Sequence, residues 1–263
     1  MGESPRLDGR VAIVTGAGQG MGLAFARALA AAGASVTVAE VDQATGRAAA
    51  DAINATGGDA TFYPVDVRDA SQIQAMIDDL VARHGRVDIL VNNAGVAAGG
   101  PSEDVTEEEW DRVVGIMFKG VFLCAQAAGR VMLAQGSGVV LNICSMAGVG
   151  GWAQRALYTP AKAAAIALTH VLGCEWAARG VRVVGINPGQ IETPLNNHVF
   201  ERGLADREAF TNRAPMRRFG TSEEIADAVL FLVSDEARHI TAEVVTIDGG
   251  WMAWGGIEEP VGV

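Results

Sequence analysis

Residues 11–22 read VAIVTGAGQGMG, in which five strand-forming residues run directly into a glycine-rich turn. A helix-forming stretch at 21–32 follows at once, so the turn joins the end of a strand to the start of a helix. Gly16, Gly20 and Gly22 set a G-x-x-x-G-x-G spacing, which allows a tight turn and exposes backbone N–H groups beside a helix N-terminus. This arrangement is typical of a pyrophosphate-binding site. The candidate contacts are Gly16, Gln19, Gly20, Met21 and Gly22.

The alternation of strand and helix continues through the chain. Short β-branched runs predict strands at 11–15, 35–39, 61–65, 87–91, 139–143, 181–186 and 244–247. Ala-rich stretches of helical period predict helices at 21–32, 43–56, 71–84, 107–135, 158–178 and 222–234. Several strand runs are apolar at nearly every position, which indicates parallel strands covered on both faces. The sequence therefore predicts one α/β domain over residues 1–263, a Rossmann-type doubly wound parallel sheet of about seven strands with helices on both faces.

The second predicted strand leads to Glu40, about 20 residues beyond the glycine-rich turn. An acidic side chain at that place accepts hydrogen bonds from the ribose hydroxyls of an adenosine and would repel a 2′-phosphate. Arg and Lys are absent from the turn and from the residues immediately after Glu40, so nothing there compensates the acidic charge. We therefore predict NAD rather than NADP as the cofactor, with Asp42 as an alternative acidic contact.

The composition disfavours several kinds of partner. The 263 residues carry 31 acidic and 20 basic side chains, a net charge of −11, which would repel a nucleic acid. Cys124, Cys144 and Cys174 show neither pairing nor metal-ligand spacing, which fits a reducing compartment and no metal site. Apolar runs stay shorter than the roughly 18 residues of a spanning helix, and the N-terminal residues show no signal-type stretch. We expect a cytoplasmic protein without a membrane partner.

A second cluster of polar residues lies in the middle of the chain. Tyr158 and Lys162 are four residues apart, which places them on one face of a helix. A phenol is a poor base at neutral pH because its ordinary pKa is near ~10, and a neighbouring ammonium favours its ionised form. Ser145 follows the preceding strand at the sheet edge where ligands bind, and it can donate a hydrogen bond to a substrate oxygen. Ser145, Tyr158 and Lys162 therefore predict an acid/base site for an alcohol, in which Tyr158 exchanges the hydroxyl proton.

Over nearly its whole length, the sequence resembles the short-chain dehydrogenase/reductase family. The shared motifs are the turn at 15–22, Asp66-Val67, Asn92-Asn93-Ala94-Gly95, Ser145, Tyr158 with Lys162, Asn187-Pro188-Gly189, Thr193 and Asp248-Gly249-Gly250. The resemblance implies NAD-dependent hydride transfer between a secondary alcohol and a ketone, and a homotetramer assembled through helices 107–135 and 158–178 and the C-terminal strand.

The resemblance also implies a role for individual cofactor-binding residues. Asp66 and Val67 are expected against the adenine, Lys162 is expected at the nicotinamide ribose, and Tyr158 is expected to contact the cofactor as well. The remaining implied contacts are Asn93, Ala94 and Gly95 in the cofactor channel, and Pro188, Gly189, Ile191 and Thr193 at the carboxamide end.

The sequence departs from the family pattern at Met117, where the family usually carries an asparagine that links the catalytic lysine to solvent through a water molecule. A thioether accepts hydrogen bonds only weakly and donates none. Several interpretations stay open: the proton leaves by another route, turnover is slowed, or the chain is an NAD-binding regulatory protein with little turnover. Met117 could also simply pack, since methionine fills irregular gaps. A second departure, Val184-Gly185 in place of Asn-Ala, is expected to affect strand support more than chemistry.

The substrate is the least constrained part of the prediction. Residues 190–220 are polar, carry Pro194 and Pro215 and are expected to form a substrate loop. A polyol or sugar alcohol would suit the polar candidates Gln154, Arg155, Gln190, Glu192, Asn196 and Asn197. An aryl or alicyclic alcohol would suit the apolar candidates Trp152, Phe200 and Met216. We take Trp152, Gln154 and Gln190 as the candidate substrate contacts.

Overall fold

The computed structural model describes residues 6–193, 200 and 206–255. Its parallel sheet has the strand order β3-β2-β1-β4-β5-β6-β7. The strands are β1 (Val11–Thr15), β2 (Ser35–Glu40), β3 (Asp59–Pro64), β4 (Ile89–Asn92), β5 (Gly138–Ile143), β6 (Val181–Pro188) and β7 (Glu243–Ile247). The helices are α1 (Gly20–Ala31), α2 (Gln43–Asn54), α3 (Ala70–His84), α4 (Glu107–Val114), α5 (Gly120–Gln135), α6 (Tyr158–Trp176), α7 (Arg207–Arg213) and α8 (Ser222–Val233). The predicted doubly wound α/β sheet is confirmed.

Helices cover both faces of the sheet. On one face, Phe25 of α1 and Val229 of α8 belong to the same buried cluster as Val14 of β1. On the opposite face, Leu80 of α3 is buried with Ile13 of the same strand. Because successive strand residues point to opposite faces, each residue of β1 finds an apolar layer, and all five are buried. This explains why the strand run is apolar without alternation.

The order of the strands reverses between β1 and β4, which opens a crevice at their carboxyl ends. The Thr15 side chain joins the two strands at this point. Its Oγ1 accepts hydrogen bonds from the backbone N–H groups of Asn93 and Ala94, each at 3.0 Å. The glycine-rich turn after β1 and the loop after β4 therefore start from one fixed base.

The single helix predicted over 107–135 is interrupted by a π-helical turn at Gly115–Lys119. A Cβ atom on Gly120 would lie 2.9 Å from Cγ2 of Val67 and 3.0 Å from its carbonyl oxygen. The helix is thus pressed against the connection between β3 and α3, and the wider π turn lies directly before this contact. This tertiary contact leaves no mark on the helical period of the sequence.

The described part of the stretch at 190–220, which the sequence analysis assigned to a substrate loop, includes the short helix α7. The Asp206 carboxylate caps this helix by accepting hydrogen bonds from the backbone N–H groups of Glu208 at 2.9 Å and Ala209 at 3.3 Å. An N-terminal Asp is a favourable cap, so a local signal was present in the sequence.

Within the described ranges, one helical stretch, Glu107–Gln135, has the length and mean hydropathy (1.4) of a membrane-crossing helix. Half of its apolar window is buried inside the protein. This burial is typical of a core helix.

Candidate active site

A cleft of about 340 Å³ lies at the carboxyl ends of β1, β2 and β4. It is lined by fourteen of the predicted cofactor contacts, namely Gly16, Gln19, Gly20, Met21, Gly22, Glu40, Asp66, Val67, Asn93, Ala94, Gly95, Tyr158, Lys162 and Thr193. The structure therefore brings the glycine-rich turn and the Tyr158–Lys162 helix face to one cavity, although they are far apart in the sequence.

The glycine-rich turn closes tightly upon itself. A Cβ atom on Gly22 would lie 2.2 Å from the carbonyl oxygen of Gly16. The Asn93 side chain secures the same turn, because its Nδ2 donates to the carbonyl oxygens of Thr15 and Gly16 at 3.0 Å each. Gly20 differs from these positions: it has φ +55°, and a Cβ atom there would meet no atom within 4 Å. A cradle of this shape, with the first turn of α1 beginning at Gly20, fits an approaching pyrophosphate.

The Glu40 carboxylate is fixed at the end of β2 by backbone donors. Its Oε2 accepts from the N–H of Gly18 at 3.0 Å, and its Oε1 accepts from the N–H groups of Val41 at 2.9 Å and Asp42 at 3.2 Å. A carboxylate offers about four acceptor sites, so capacity remains for a ribose hydroxyl. These residues fit an adenosine dinucleotide.

Asp42, the alternative acidic contact, has a different task. Its Oδ1 accepts from the backbone N–H of Thr45 at 2.9 Å and thereby caps α2. This hydrogen bond, together with one from the Thr45 hydroxyl group at 3.1 Å, lowers the pKa of the Asp42 carboxyl. Asp42 is also absent from the residues that line the cleft, which leaves Glu40 as the acidic group at the end of β2 that reaches it.

Arg68 is a cleft residue that the sequence analysis missed. Its Nη2 donates to Oδ2 of Asp66 at 2.6 Å, and its Nε lies 3.0 Å from both carboxylate oxygens. The hydrogen bonds from Arg68 lower the pKa of Asp66. The Asp66 carboxylate, predicted to lie against the adenine, is thus already engaged by a guanidinium. In the sequence, this contact could have been predicted only from the position of Arg68, two residues after Asp66.

Tyr158 and Lys162 lie on the first two turns of α6. Lys162 is buried, and its Nζ donates to the carbonyl oxygen of Ile143, the last residue of β5, at 2.6 Å. The same Nζ lies 5.9 Å from the ring centroid of Tyr158. The positive charge is therefore anchored between the end of the sheet and the phenol. Burial raises the pKa of the neighbouring Cys144 thiol to about 11, and the charge of Lys162 opposes that shift.

Ser145 directly follows the two cleft residues Ile143 and Cys144. Its Oγ accepts a hydrogen bond from the N–H of Ala147 at 3.1 Å, and its backbone N–H donates to Oδ1 of Asn187 at 3.2 Å. Because Oγ accepts from the backbone, its orientation is fixed and the hydroxyl proton is available for donation. The side chain is buried beside the sheet edge, and Ser145 itself does not line the cleft.

The residues predicted for the carboxamide end separate in the structure. Thr193 lines the cofactor cleft, whereas Ile191 is buried in the core and lines a second cavity of about 100 Å³. Gly189 lies tight against β7, since a Cβ atom there would be 2.6 Å from Cα of Asp248. Pro188 is the last residue of β6 and, like Gly189, does not line the cleft.

The candidate substrate contacts also do not converge on one cavity. Trp152 stacks on Trp251 with their ring centroids 6.0 Å apart. Gln154 has φ +61° and lines a cavity of about 90 Å³ beside Leu157, while Gln190 lines the 100 Å³ cavity with Trp251.

Among the other candidates, Glu192 forms an ion pair with Arg207. Met216 is exposed and lines the same 100 Å³ cavity as Gln190. Asn196 and Asn197 lie outside the described residues.

Met117 occupies the π-helical turn and is fully buried. It packs with Ala98, Leu157 and Ala161 and reaches the lining of the cofactor cleft. These contacts agree with a packing role, since methionine fills irregular gaps.

Comparisons with known proteins agree over most of the chain. A family model described as Enoyl-(Acyl carrier protein) reductase matches residues 16–252. D-threitol dehydrogenase of Mycolicibacterium smegmatis is 38% identical over 246 residues, which cover 94% of this chain and 94% of that protein. 3-oxoacyl-[acyl-carrier-protein] reductase FabG of Thermotoga maritima is 35% identical over 93% of this chain and 98% of that protein. A gluconate 5-dehydrogenase from Burkholderia cenocepacia, in a crystal structure with NADP and tartrate, has a TM-score of 0.88 and 35% identity over 95% of this chain and 97% of that chain.

Proposed function

The chain belongs to the short-chain dehydrogenase/reductase family of oxidoreductases that act on CH–OH groups, and we propose that it is an NAD-dependent dehydrogenase of a secondary alcohol. One observation carries the proposal. The Lys162 ammonium, bound to the carbonyl oxygen of Ile143 at 2.6 Å, lies with Tyr158 on the wall of the same cleft as the glycine-rich turn.

The glycine-rich turn, Glu40 and Lys162 would hold the dinucleotide in the cleft, and its nicotinamide would supply the hydride acceptor for the carbinol carbon. Tyr158 accepts the hydroxyl proton through its phenol oxygen. Lys162 places a fixed positive charge 5.9 Å from the centroid of the Tyr158 ring, and both residues line the same cleft. Ser145 donates a hydrogen bond from its hydroxyl group to the substrate oxygen and holds that oxygen near Tyr158.

The preference for NAD depends on Glu40. Three backbone donors hold its carboxylate at the end of β2, where a 2′-phosphate would meet a negative charge. The cleft lining contains two cations: the guanidinium of Arg68 is engaged by Asp66, and the ammonium of Lys162 is bound to the carbonyl oxygen of Ile143. The gluconate 5-dehydrogenase from Burkholderia cenocepacia was crystallised with NADP, which is an observation on that protein.

We further propose a polyol or sugar alcohol as the substrate class, which the relative named D-threitol dehydrogenase supports. An aryl or alicyclic alcohol is the second candidate. The stacked pair of Trp152 and Trp251, which Phe210 extends at a centroid distance of 5.6 Å from Trp251, favours that alternative. A regulatory protein that binds NAD with little turnover is a third candidate, motivated by Met117.

The outer surface of α4 and α5 supports the proposed homotetramer. Trp110 of α4, Phe118 of the π-helical turn and Phe122 of α5 are large apolar side chains that are exposed by 48%, 37% and 38%. Exposed apolar side chains of this size along one helical stretch are typical of an interface. Light scattering should give a mass about four times 27.3 kDa, and the mass of a single chain would reject the tetramer. We expect this assembly to be cytoplasmic.

A substrate panel tests the proposed function. Polyols, sugar acids, and aryl and alicyclic alcohols would be supplied with NAD and then with NADP, and absorbance would be followed at about 340 nm, while NADH binding is titrated separately by fluorescence. We expect oxidation with NAD and slower oxidation with NADP. Tight NADH binding without oxidation of any alcohol would instead favour the regulatory candidate.

A further inference from the structure

Arg155 extends the catalytic face of α6 by one turn. The backbone N–H of Thr159 donates to the carbonyl oxygen of Arg155 at 3.0 Å, so the helical hydrogen-bond pattern already includes residue 155. Positions i, i+3 and i+7 of a helix share one face, which places Arg155 in line with Tyr158 and Lys162. The guanidinium of Arg155 therefore lies on the N-terminal side of Tyr158 and Lys162.

The guanidinium of Arg155 is held in place by the loop that follows β4. Its Nη1 donates to the carbonyl oxygen of Ala98 at 2.9 Å. Gly99 leaves room for this contact, since a Cβ atom there would lie 2.4 Å from the same nitrogen. The same loop supplies Asn93 and Val96 to the cofactor cleft. Arg155 thus bridges the two segments that flank the cleft at its Tyr158 side.

Arg155 has further N–H donors beyond the one bound to Ala98, and it has no carboxylate partner among the described residues. A guanidinium carries five N–H donors, and the bond to Ala98 accounts for one of them. Asp104 and Glu109 line the small cavity beside Gln154, but neither pairs with Arg155, and Glu109 pairs with Arg112 at 3.8 Å. In a chain of net charge −11, this cation is available to an anionic ligand.

We propose that Arg155 binds the carboxylate of the substrate, so that the preferred substrates are polyhydroxylated acids of the aldonate class rather than neutral polyols. This inference rests on the proposed dehydrogenase function. A planar guanidinium matches a carboxylate through paired N–H donors, which neutral hydroxyl groups cannot reproduce. The hydrogen bond to the carbonyl oxygen of Ala98 fixes the orientation of the guanidinium and reduces the side-chain entropy that is lost when a substrate binds.

The test compares alditols with the aldonates of equal chain length, using NAD and three forms of the protein. Arg155→Gln removes the charge but keeps an N–H donor, and Arg155→Lys keeps the charge without the fork. For aldonates, Arg155→Gln should lower kcat/KM by about 10- to 100-fold, mainly through KM, since a hydrogen bond to a charged group contributes roughly 1.5–3 kcal/mol. For aldonates, the kcat/KM of Arg155→Lys should fall between those of the wild type and Arg155→Gln, and in both variants the loss for alditols should be clearly smaller than the loss for aldonates.

Gly99→Ala provides a second variant, because its added methyl group displaces the guanidinium without removing the charge. It should show the same selective loss for aldonates, with unchanged NADH affinity. Equal wild-type activity on alditols and aldonates, or an equal loss for both classes in Arg155→Gln, would overturn the assignment of Arg155.

A calorimetric titration of gluconate into the protein with NADH keeps the two proposals distinguishable. Absence of turnover for every alcohol would reject the proposed function alone. If gluconate then still bound, and Arg155→Gln weakened it, the carboxylate site would stand. Gluconate binding that is unaffected in Arg155→Gln would reject the site itself.

Discussion

Gly22→Ala should destabilise the protein because its methyl group has no space in the glycine-rich turn. The added Cβ would lie 2.2 Å from the Gly16 carbonyl oxygen and 2.5 Å from Nδ2 of Asn93. Overpacking of this kind costs about 1–3 kcal/mol. Displacing the Asn93 amide would also weaken its two hydrogen bonds to Thr15 and Gly16, at about 1 kcal/mol each.

One contribution has the opposite sign. Replacing a glycine with alanine restricts the unfolded chain and favours helix, which returns about 1 kcal/mol. The net loss in the free energy of unfolding is therefore about 2–4 kcal/mol, which corresponds to a fall in Tm of about 5–15 °C for a chain of this size.

Gly20→Ala is the matched control in the same turn. Its Cβ would meet no atom within 4 Å, so only the positive φ of +55° opposes the change, at about 1–2 kcal/mol before the same return from alanine. Both variants should bind NADH more weakly, since both residues line the cleft. The assay is calorimetric unfolding without cofactor, together with an NADH titration. If Gly22→Ala melts like the wild type, or if Gly20→Ala is the less stable variant, the account of the turn is refuted.

Three further predictions concern charge and burial. Glu40→Gln should reduce the preference for NADH over NADPH by about tenfold or more, because it removes an electrostatic repulsion of the 2′-phosphate of about 1–3 kcal/mol but keeps a hydrogen-bond acceptor. Paired fluorescence titrations measure the ratio of the two Kd values, and an unchanged ratio would refute the role of Glu40. Burial raises the pKa of Cys124 to about 12 and of Cys144 to about 11, so mass spectrometry after thiol labelling of the native protein at pH 8 should find both unmodified; rapid labelling of either would contradict this. The hydrogen bond from Arg218 lowers the pKa of Glu224 to about 2, so this carboxylate stabilises the fold above about pH 4.5 and loses that effect as the pH falls towards 2. The Tm difference between wild type and Glu224→Gln should therefore shrink between pH 5 and pH 3, and a constant difference would speak against it.

The parts of the fold that depend on local pattern were predictable from the sequence. The bounds of β1 agree with the predicted run, since an apolar strand that ends in a glycine turn has clear limits. The π-helical turn at Gly115–Lys119 was not predicted, because it lies beside a contact between Gly120 and the distant Val67. A periodic pattern within one segment contains no information on such a contact.

The candidate site shows the same division. Spacing alone placed Tyr158 and Lys162 on one helix face, and the parallel sheet brought the glycine-rich turn to them. The bond of Lys162 to the carbonyl oxygen of Ile143 was beyond sequence reasoning, because backbone acceptors have no signature in the sequence. The role of Arg155 likewise depends on a loop that lies more than 50 residues away.

The most direct measurement is the turnover of Tyr158→Phe with NAD and the best substrate of the panel, compared with Tyr63→Phe, which alters the only other tyrosine of the chain. Tyr158→Phe removes the proton acceptor and little else, so kcat should fall by about 10²- to 10⁴-fold, while the Kd for NADH stays within about twofold of wild type. Tyr63→Phe should retain wild-type turnover, since Tyr63 lies on β3 and not in the cleft lining. Wild-type rates in Tyr158→Phe would contradict the central claim that this phenol exchanges the proton of the substrate.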